Sequence, residues 1–146
     1  RIEQIRQARQ AGLRAFALVE PIGPEHSDEE IADAVLTLRN EVQTVLLGGM
    51  ARVSVNGSPL SHYGMIDAQR LAAVTAVSIL AMQDCFDNVE VVCSHPAHPE
   101  VLRAGANAVV VEVGAIPRDN TFAQTEWRGL TIDEARSLLR QAGYRD

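Results

Sequence analysis

The sequence predicts an α/β fold in which parallel strands alternate with helices, laid out as the C-terminal half of a (β/α)8 barrel. Three observations predict it. Helical and extended patterns alternate four times along the 146 residues, and a closing helix follows. All four extended stretches are nearly continuous apolar runs, the signature of parallel strands covered on both faces. Histidines, carboxylates and arginines collect just past those runs, where parallel folds expose free backbone groups and build their sites.

The elements follow in order. Ile2, Ile5 and Ala8 recur at helical spacing, and Gly12 is a helix stop. Leu13–Val19 is apolar and reads as the first strand, ended by Glu20-Pro21. Ser27 and Glu30 form an S-x-x-E capping box that opens a helix to about Asn40. Val42–Leu47 is the second strand, closed by Gly48-Gly49, and a long loop, Met50–Gly64, follows. Ile66–Met82 is a helix too apolar for a surface helix with one wet side. Asp87-Asn88 makes a turn into the third strand, Val89–Cys93. Pro99 opens a short helix that Gly105 ends. Ala108–Val113 is the fourth strand, and Thr131 with Glu134 forms a second capping box for the closing helix, to about Ala142.

Residues 1–146 read as a single α/β unit with no linker and no low-complexity tract. Four units are half of eight, so this half needs the missing N-terminal half or a second copy to cover its open edges and inner face. Arg1 already falls inside a helical pattern, which reads as a fragment of a longer chain. The net charge of −6 argues against a dedicated nucleic-acid or membrane-surface binder. The apolar runs are too short to span a membrane. Two cysteines, Cys85 and Cys93, make neither a disulfide framework nor a metal motif, so a reducing cytoplasm is the expected compartment.

Position singles out the candidate residues. Glu20, Glu25 and His26 follow the first strand, Arg52 and His62 the second, His95 and His98 the third, and Glu112 with Arg118-Asp119 the fourth. Plain structural roles stand beside the functional ones. His98-Pro99-Glu100 is also a good helix cap, Gly48-Gly49 a tight turn, Cys93 a small core residue and Arg118-Asp119 a local ion pair. His95 and His98 match an H-x-x-H pair, yet a metal site needs a third ligand. No P-loop and no G-x-G-x-x-G phosphate fingerprint is present.

Several stretches resemble one family. Val53-Ser54-Val55-Asn56-Gly57-Ser58-Pro59-Leu60 looks like the V-x-V-x-G-T-P-L loop after the sixth strand of biotin synthase, a radical SAM enzyme. The apolar helix Arg70–Met82 and Ala104-Gly105-Ala106-Asn107 resemble that family's approaches to its seventh and eighth strands. Ile22-Gly23 with Glu25 is similar to a degenerate G-x-I-x-G-x-x-E motif at the fifth strand. Val19–His26, Glu112-Val113-Gly114 and Pro117-Arg118-Asp119 look like a subgroup linked to maturation of the iron-guanylylpyridinol hydrogenase cofactor.

The resemblance implies a mechanism. A 4Fe-4S cluster reduces S-adenosylmethionine to a 5′-deoxyadenosyl radical, which abstracts a hydrogen from a small-molecule substrate, and the barrel positions the cofactor. It implies that Ile22, Gly23 and Glu25 flank the cofactor and that Leu47, Gly48, Gly49 and Met50 offer it backbone hydrogen bonds. Glu20, Arg52, His95 and Glu112 would act on the substrate, with Glu25 and His26 also facing it. The cysteine triad that holds the cluster is absent, so its ligands belong to the missing half. The auxiliary-cluster ligands of biotin synthase are also replaced, by Ala17 and by Glu90 or Val91. A cofactor- or metabolite-building reaction therefore fits better than biotin sulfur insertion. Two further classes remain open: a non-catalytic half-barrel that docks on a partner, and a metal-dependent lyase or hydrolase using His26, His95 and His98.

Overall fold

A computed structural model describes residues 1–84, 89–111 and 130–145. Within them the chain is a mixed α/β fold in which short parallel strands alternate with helices. Helix α1, Ile2–Gln10, ends where Gly12 turns at φ +80°. It leaves its polar faces wet and packs Ile5 against the core.

Strand β1, Val19–Ile22, runs parallel to β3, Gly49–Ala51, with Val19 opposite Gly49 and Ile22 opposite Ala51. The first strand thus continues past Glu20-Pro21 instead of ending there. Three steps on β1 match two on β3, a bulge at the position where Pro21 has no N–H to give the ladder. Upstream, Phe16 bridges to Leu46, so the expected stretch Leu13–Val19 touches the sheet but pairs there at a single bridge.

Helix α2, Asp28–Thr37, carries the expected capping box. Glu30 N–H donates to Ser27 Oγ at 3.2 Å, and Ser27 N–H donates to Glu30 Oε2 at 2.9 Å. The helix then widens into a π turn, Leu38–Val42, and stops at Gln43, φ +50°.

The second strand is split and shifted relative to expectation. Leu46–Leu47 forms β2 and Gly49–Ala51 forms β3, so the sheet runs through both glycines instead of closing before them. Gly48, at φ +138°, makes the join. A Cβ there would lie 1.6 Å from the Cys93 carbonyl oxygen, so the close approach of the neighbouring strand requires glycine.

After a short 3-10 turn, Ser61–Tyr63, helix α3 spans Ala68–Ala81, with Asp67 Oδ1 accepting from Arg70 N–H at 2.7 Å. Strand β4, Val91–Val92, pairs parallel with β2, and His95 bridges to Met50 beyond it. Helix α4, Pro99–Arg103, follows, and Gly105 ends it at φ +112°.

The expected fourth strand does not form over its described part, residues 108–111. The amides of Asn107 and Ala108 both donate to the Val92 carbonyl, at 2.9 and 3.2 Å, which lays this segment beside β4. The Asn107 side chain, however, accepts the Val92 N–H at 2.7 Å, taking the donor that a ladder would use. Helix α5, Ile132–Gln141, begins at the second capping box, Thr131 and Glu134.

The pairings are thus β1 with β3 and β2 with β4, all parallel, with single bridges Phe16–Leu46 and Met50–His95. Taking β2 and β3 as two parts of one stretch, the three stretches lie in chain order. Helix α3 crosses β2 and β3, and α2 packs on β1. Leu47, Val92, Leu71, Val35 and Val101 fill the space between sheet and helices. Side chains alternate across a strand. The neighbours on the other face, Phe16, Leu46 and Val91, share one row, and Phe16 is 61 % exposed. No described helix is long and apolar enough to cross a membrane.

Candidate functional site

The sheet delivers three strand ends to one edge. From β1 come Glu20 and the turn Gly23–His26, from β3 comes Arg52, and from β4 comes His95. The centre of this edge is Arg52. Its backbone amide donates to the Ile22 carbonyl at 2.7 Å, which aims the side chain across the turn after β1. There Nη2 donates to Glu25 Oε2 at 2.8 Å, with the two side chains only 13 % and 19 % exposed. The same guanidinium ties down the loop that follows. Nη1 donates to the Leu60 carbonyl at 3.2 Å and Nη2 to that of Gly64 at 3.4 Å, while Ser54 Oγ donates to the Ser61 carbonyl at 3.3 Å. Arg52 Nε is buried and has no partner among the described residues.

Gly23 sits under this pair. A Cβ there would fall 2.3 Å from Glu25 Oε2 and 2.5 Å from Arg52 Nη2, so no side chain fits while the pair is formed. Its amide donates to His26 Nδ1 at 2.9 Å. The same Nδ1 lies 3.2 Å from the Gly23 carbonyl, so Nε2 is the ring nitrogen left to meet a ligand.

The other candidates divide. Glu20 is exposed at the rim of a shallow pocket of about 110 Å³ between β1 and α2. His95 is half-buried, and its backbone is locked to the sheet. Its N–H donates to the Gly49 carbonyl at 2.9 Å, and its carbonyl accepts from Ala51 N–H at 2.8 Å. Met50 lies beside it, half-buried. Ile22 is in the core, with its Cδ1 next to Gly49. Glu112, Arg118 and Asp119 lie outside the described residues.

Of the Leu47–Met50 backbone, expected to offer hydrogen bonds to a cofactor, several groups are already engaged within the sheet. The Leu47 carbonyl accepts from Cys93 N–H, that of Gly48 from Val19 N–H, and that of Gly49 from His95 N–H, at 2.9, 3.0 and 2.9 Å. Gly49 N–H donates to Ser94 Oγ at 3.0 Å. These groups are used by the sheet because the strand runs on through the glycines.

Two histidine readings also resolve. His98 is the N-cap of α4: it accepts from the Glu100 amide and contacts the Glu100 carboxylate. That carboxyl is held below its ordinary value, chiefly by a backbone hydrogen bond at Glu100 itself and then by the charges of His98 and Arg103. A metal centre on His26, His95 and His98 is not assembled, and no group of three or more His, Cys, Asp or Glu among the described residues is placed to hold an ion.

Sequence reasoning missed the support beneath the site. Ser94 Oγ lies 2.8 Å from Thr75 Oγ1, which is also 2.9 Å from the Leu71 carbonyl, and both hydroxyls are buried. This chain anchors Gly49, and through it Met50, to helix α3. Its only signal in the sequence is a pair of hydroxyl residues in otherwise apolar stretches. Comparison with protein-family models, curated proteins and solved structures finds no match to this chain.

Proposed function

We propose that this chain is the C-terminal half of a radical SAM (β/α)8 barrel of the biotin synthase-like kind. In this reading it supplies cofactor-flanking and substrate-facing groups to a hydrogen abstraction in cofactor or metabolite building, in the cytoplasm. One observation carries the reading. The two segments that most resemble the family, Ile22–Glu25 and the Val53–Leu60 loop, are joined by a single side chain, Arg52, bound to Glu25 at one end and to Leu60 at the other. The chain-ordered parallel strands support the barrel, since a barrel is built by repeating that step. The row Phe16, Leu46 and Val91 supports a missing half, because such rows fill a barrel interior.

The residues fit the two cofactors differently. The buried, unpartnered Arg52 Nε fits a ligand acceptor oxygen, and half-buried Met50 fits an apolar edge of S-adenosylmethionine. The 4Fe-4S cluster does not fit. Cys93 is the one cysteine among the described residues, it is buried, and burial pushes its thiol pKa up, the opposite of what a thiolate ligand needs. When bound, S-adenosylmethionine supplies hydrogen-abstracting power. The part left to this chain is binding and orientation. Arg52 and Glu25 hold the loop over the turn after β1, His26 presents Nε2, and Glu20, from within β1, and His95, from beyond β4, face the substrate.

The test uses the full polypeptide that carries this chain, reconstituted anaerobically with iron and sulfide. It is expected to release 5′-deoxyadenosine from S-adenosylmethionine under dithionite, and Arg52→Gln is expected to lower the yield. Cluster-loaded protein that releases none overturns the reading. The 61 % exposure of Phe16 favours one second reading, a half-barrel that pairs with another copy. Light scattering on the 146-residue chain separates the two: a concentration-dependent dimer supports this second reading, and a monomer removes it.

A further inference from the structure

The pocket between β1 and α2 shares Glu20, Ile22 and His26 with the groups the radical SAM reading uses, but neither Arg52 nor Glu25 lines it, and its ligand is argued from its own lining. Its wall is apolar: Val19, Ile22 and Ile31 are buried core residues, and Ala34 of α2 closes the far side. Its polar groups are Glu20, Glu30 and His26. Glu30 spends one carboxylate oxygen on the Ser27 amide, and His26 spends Nδ1 on the Gly23 amide. The Glu20 side chain has no hydrogen bond or ion pair to any described group, and no arginine lines the pocket. The nearby guanidinium of Arg52 is neutralised by Glu25, and that of Arg70 by Asp28.

The geometry points to this pocket as a binding site for a small primary ammonium ligand with a short alkyl body. The ammonium meets the unpaired Glu20 carboxylate at the rim. The alkyl chain lies on Val19, Ile31 and Ala34, removing apolar surface from water. An anionic ligand of the same shape is disfavoured, because it would face two carboxylates and no cation. At the helix N-terminus beside the pocket, the capping box already meets the Glu30 and Ser27 amides.

The experiment is a titration of the 15N-labelled 146-residue chain, followed by amide chemical shifts, with n-butylammonium, butyrate and 1-butanol at matched ionic strength. Butylammonium is expected to shift the Ile31 and Ala34 amides saturably, with the millimolar affinity that so small a ligand allows. Butyrate is expected to leave them unmoved. Glu20→Gln, an exposed change, is expected to weaken butylammonium about fivefold, the size of a solvent-facing charge contact. Ala34→Leu fills the pocket and is expected to abolish saturation while the spectrum stays dispersed. Butyrate binding as tightly as butylammonium, unsaturable shifts, or an unchanged affinity in Glu20→Gln overturns the proposal. Loss of 5′-deoxyadenosine formation has no bearing on any of these readouts, so this proposal and the radical SAM reading fail separately.

Discussion

Arg52 Nη2 lies 2.8 Å from Glu25 Oε2, joining the end of β3 to the turn after β1 across 27 residues of chain. Both side chains are mostly buried, so removing one partner strands a charge with little water to screen it. Glu25→Gln is expected to cost about 2 kcal/mol, below the figure for a fully buried pair because the site is still partly wet. Arg52→Met should cost more, since it also releases the Leu60 and Gly64 carbonyls. Urea midpoints at constant slope measure both, and the double variant should fall short of their sum by about 1 kcal/mol. Strict additivity would mean that the two side chains do not interact.

Gly48 is the most sensitive backbone position. Its φ of +138° and the Cys93 carbonyl 1.6 Å from a built Cβ leave no room for alanine. Gly48→Ala is expected to cost more than about 3 kcal/mol or to prevent folding. Gly57→Ala is the control: its φ is +81° but nothing lies within 4 Å, so the cost should be about 1 kcal/mol. Thermal melts followed by circular dichroism compare them, and similar losses at the two sites would contradict the close approach of the strands.

Ser94→Ala removes the acceptor of the Gly49 amide inside the core. An unsatisfied buried donor costs about 2 kcal/mol. Hydrogen exchange adds a local readout. The Gly49 amide should exchange faster in the variant by more than the global loss of stability explains. Exchange that follows global stability alone would leave Ser94 without this anchoring role.

Helix α5 gives a pH dependence. Hydrogen bonds from Thr131, the backbone amide first, hold the Glu134 carboxyl below its ordinary value. A carboxyl depressed in the folded state stabilises above its unfolded pKa, about 4.3. That contribution is lost as pH falls through the lower folded value. The midpoint difference between the native chain and Glu134→Gln should be largest at neutral pH and should shrink below about pH 4. A pH-independent difference would show that the carboxylate charge is not involved.

What the sequence revealed depended on range. Ser27 with Glu30 and Thr131 with Glu134 are local pairs three residues apart, and both capping boxes formed where expected. Strand limits depend on partners far along the chain. Gly48-Gly49 and Glu20-Pro21 look like terminators locally, yet the sheet passes through both because each meets a strand that tolerates its geometry. The expected fourth strand does not form over its described residues, 108–111, for a side-chain reason, the Asn107 side chain taking the Val92 amide. At the site, the positions of Arg52 and His95 just past strands were legible from order alone, whereas Glu20 lies within β1 instead of at its end. The Arg52–Glu25 contact was not, because spacing says nothing about which strand ends face each other. His98 carried two readings, and only the position of the Glu100 amide decided between them.

The pairing of β1 with β3 and of β2 with β4 has a kinetic consequence. Val19 meets Gly49 and Leu46 meets Val91, so each new strand closes a loop of one helix and its connections, never one that spans the whole chain. Loop-closure entropy grows slowly with length, and near neighbours in sequence find each other quickly. Assembly is then a zipper that can start at either β-α-β step and extend outward. Such a chain tolerates a unit added or removed at its margin, because no earlier pairing has to be undone.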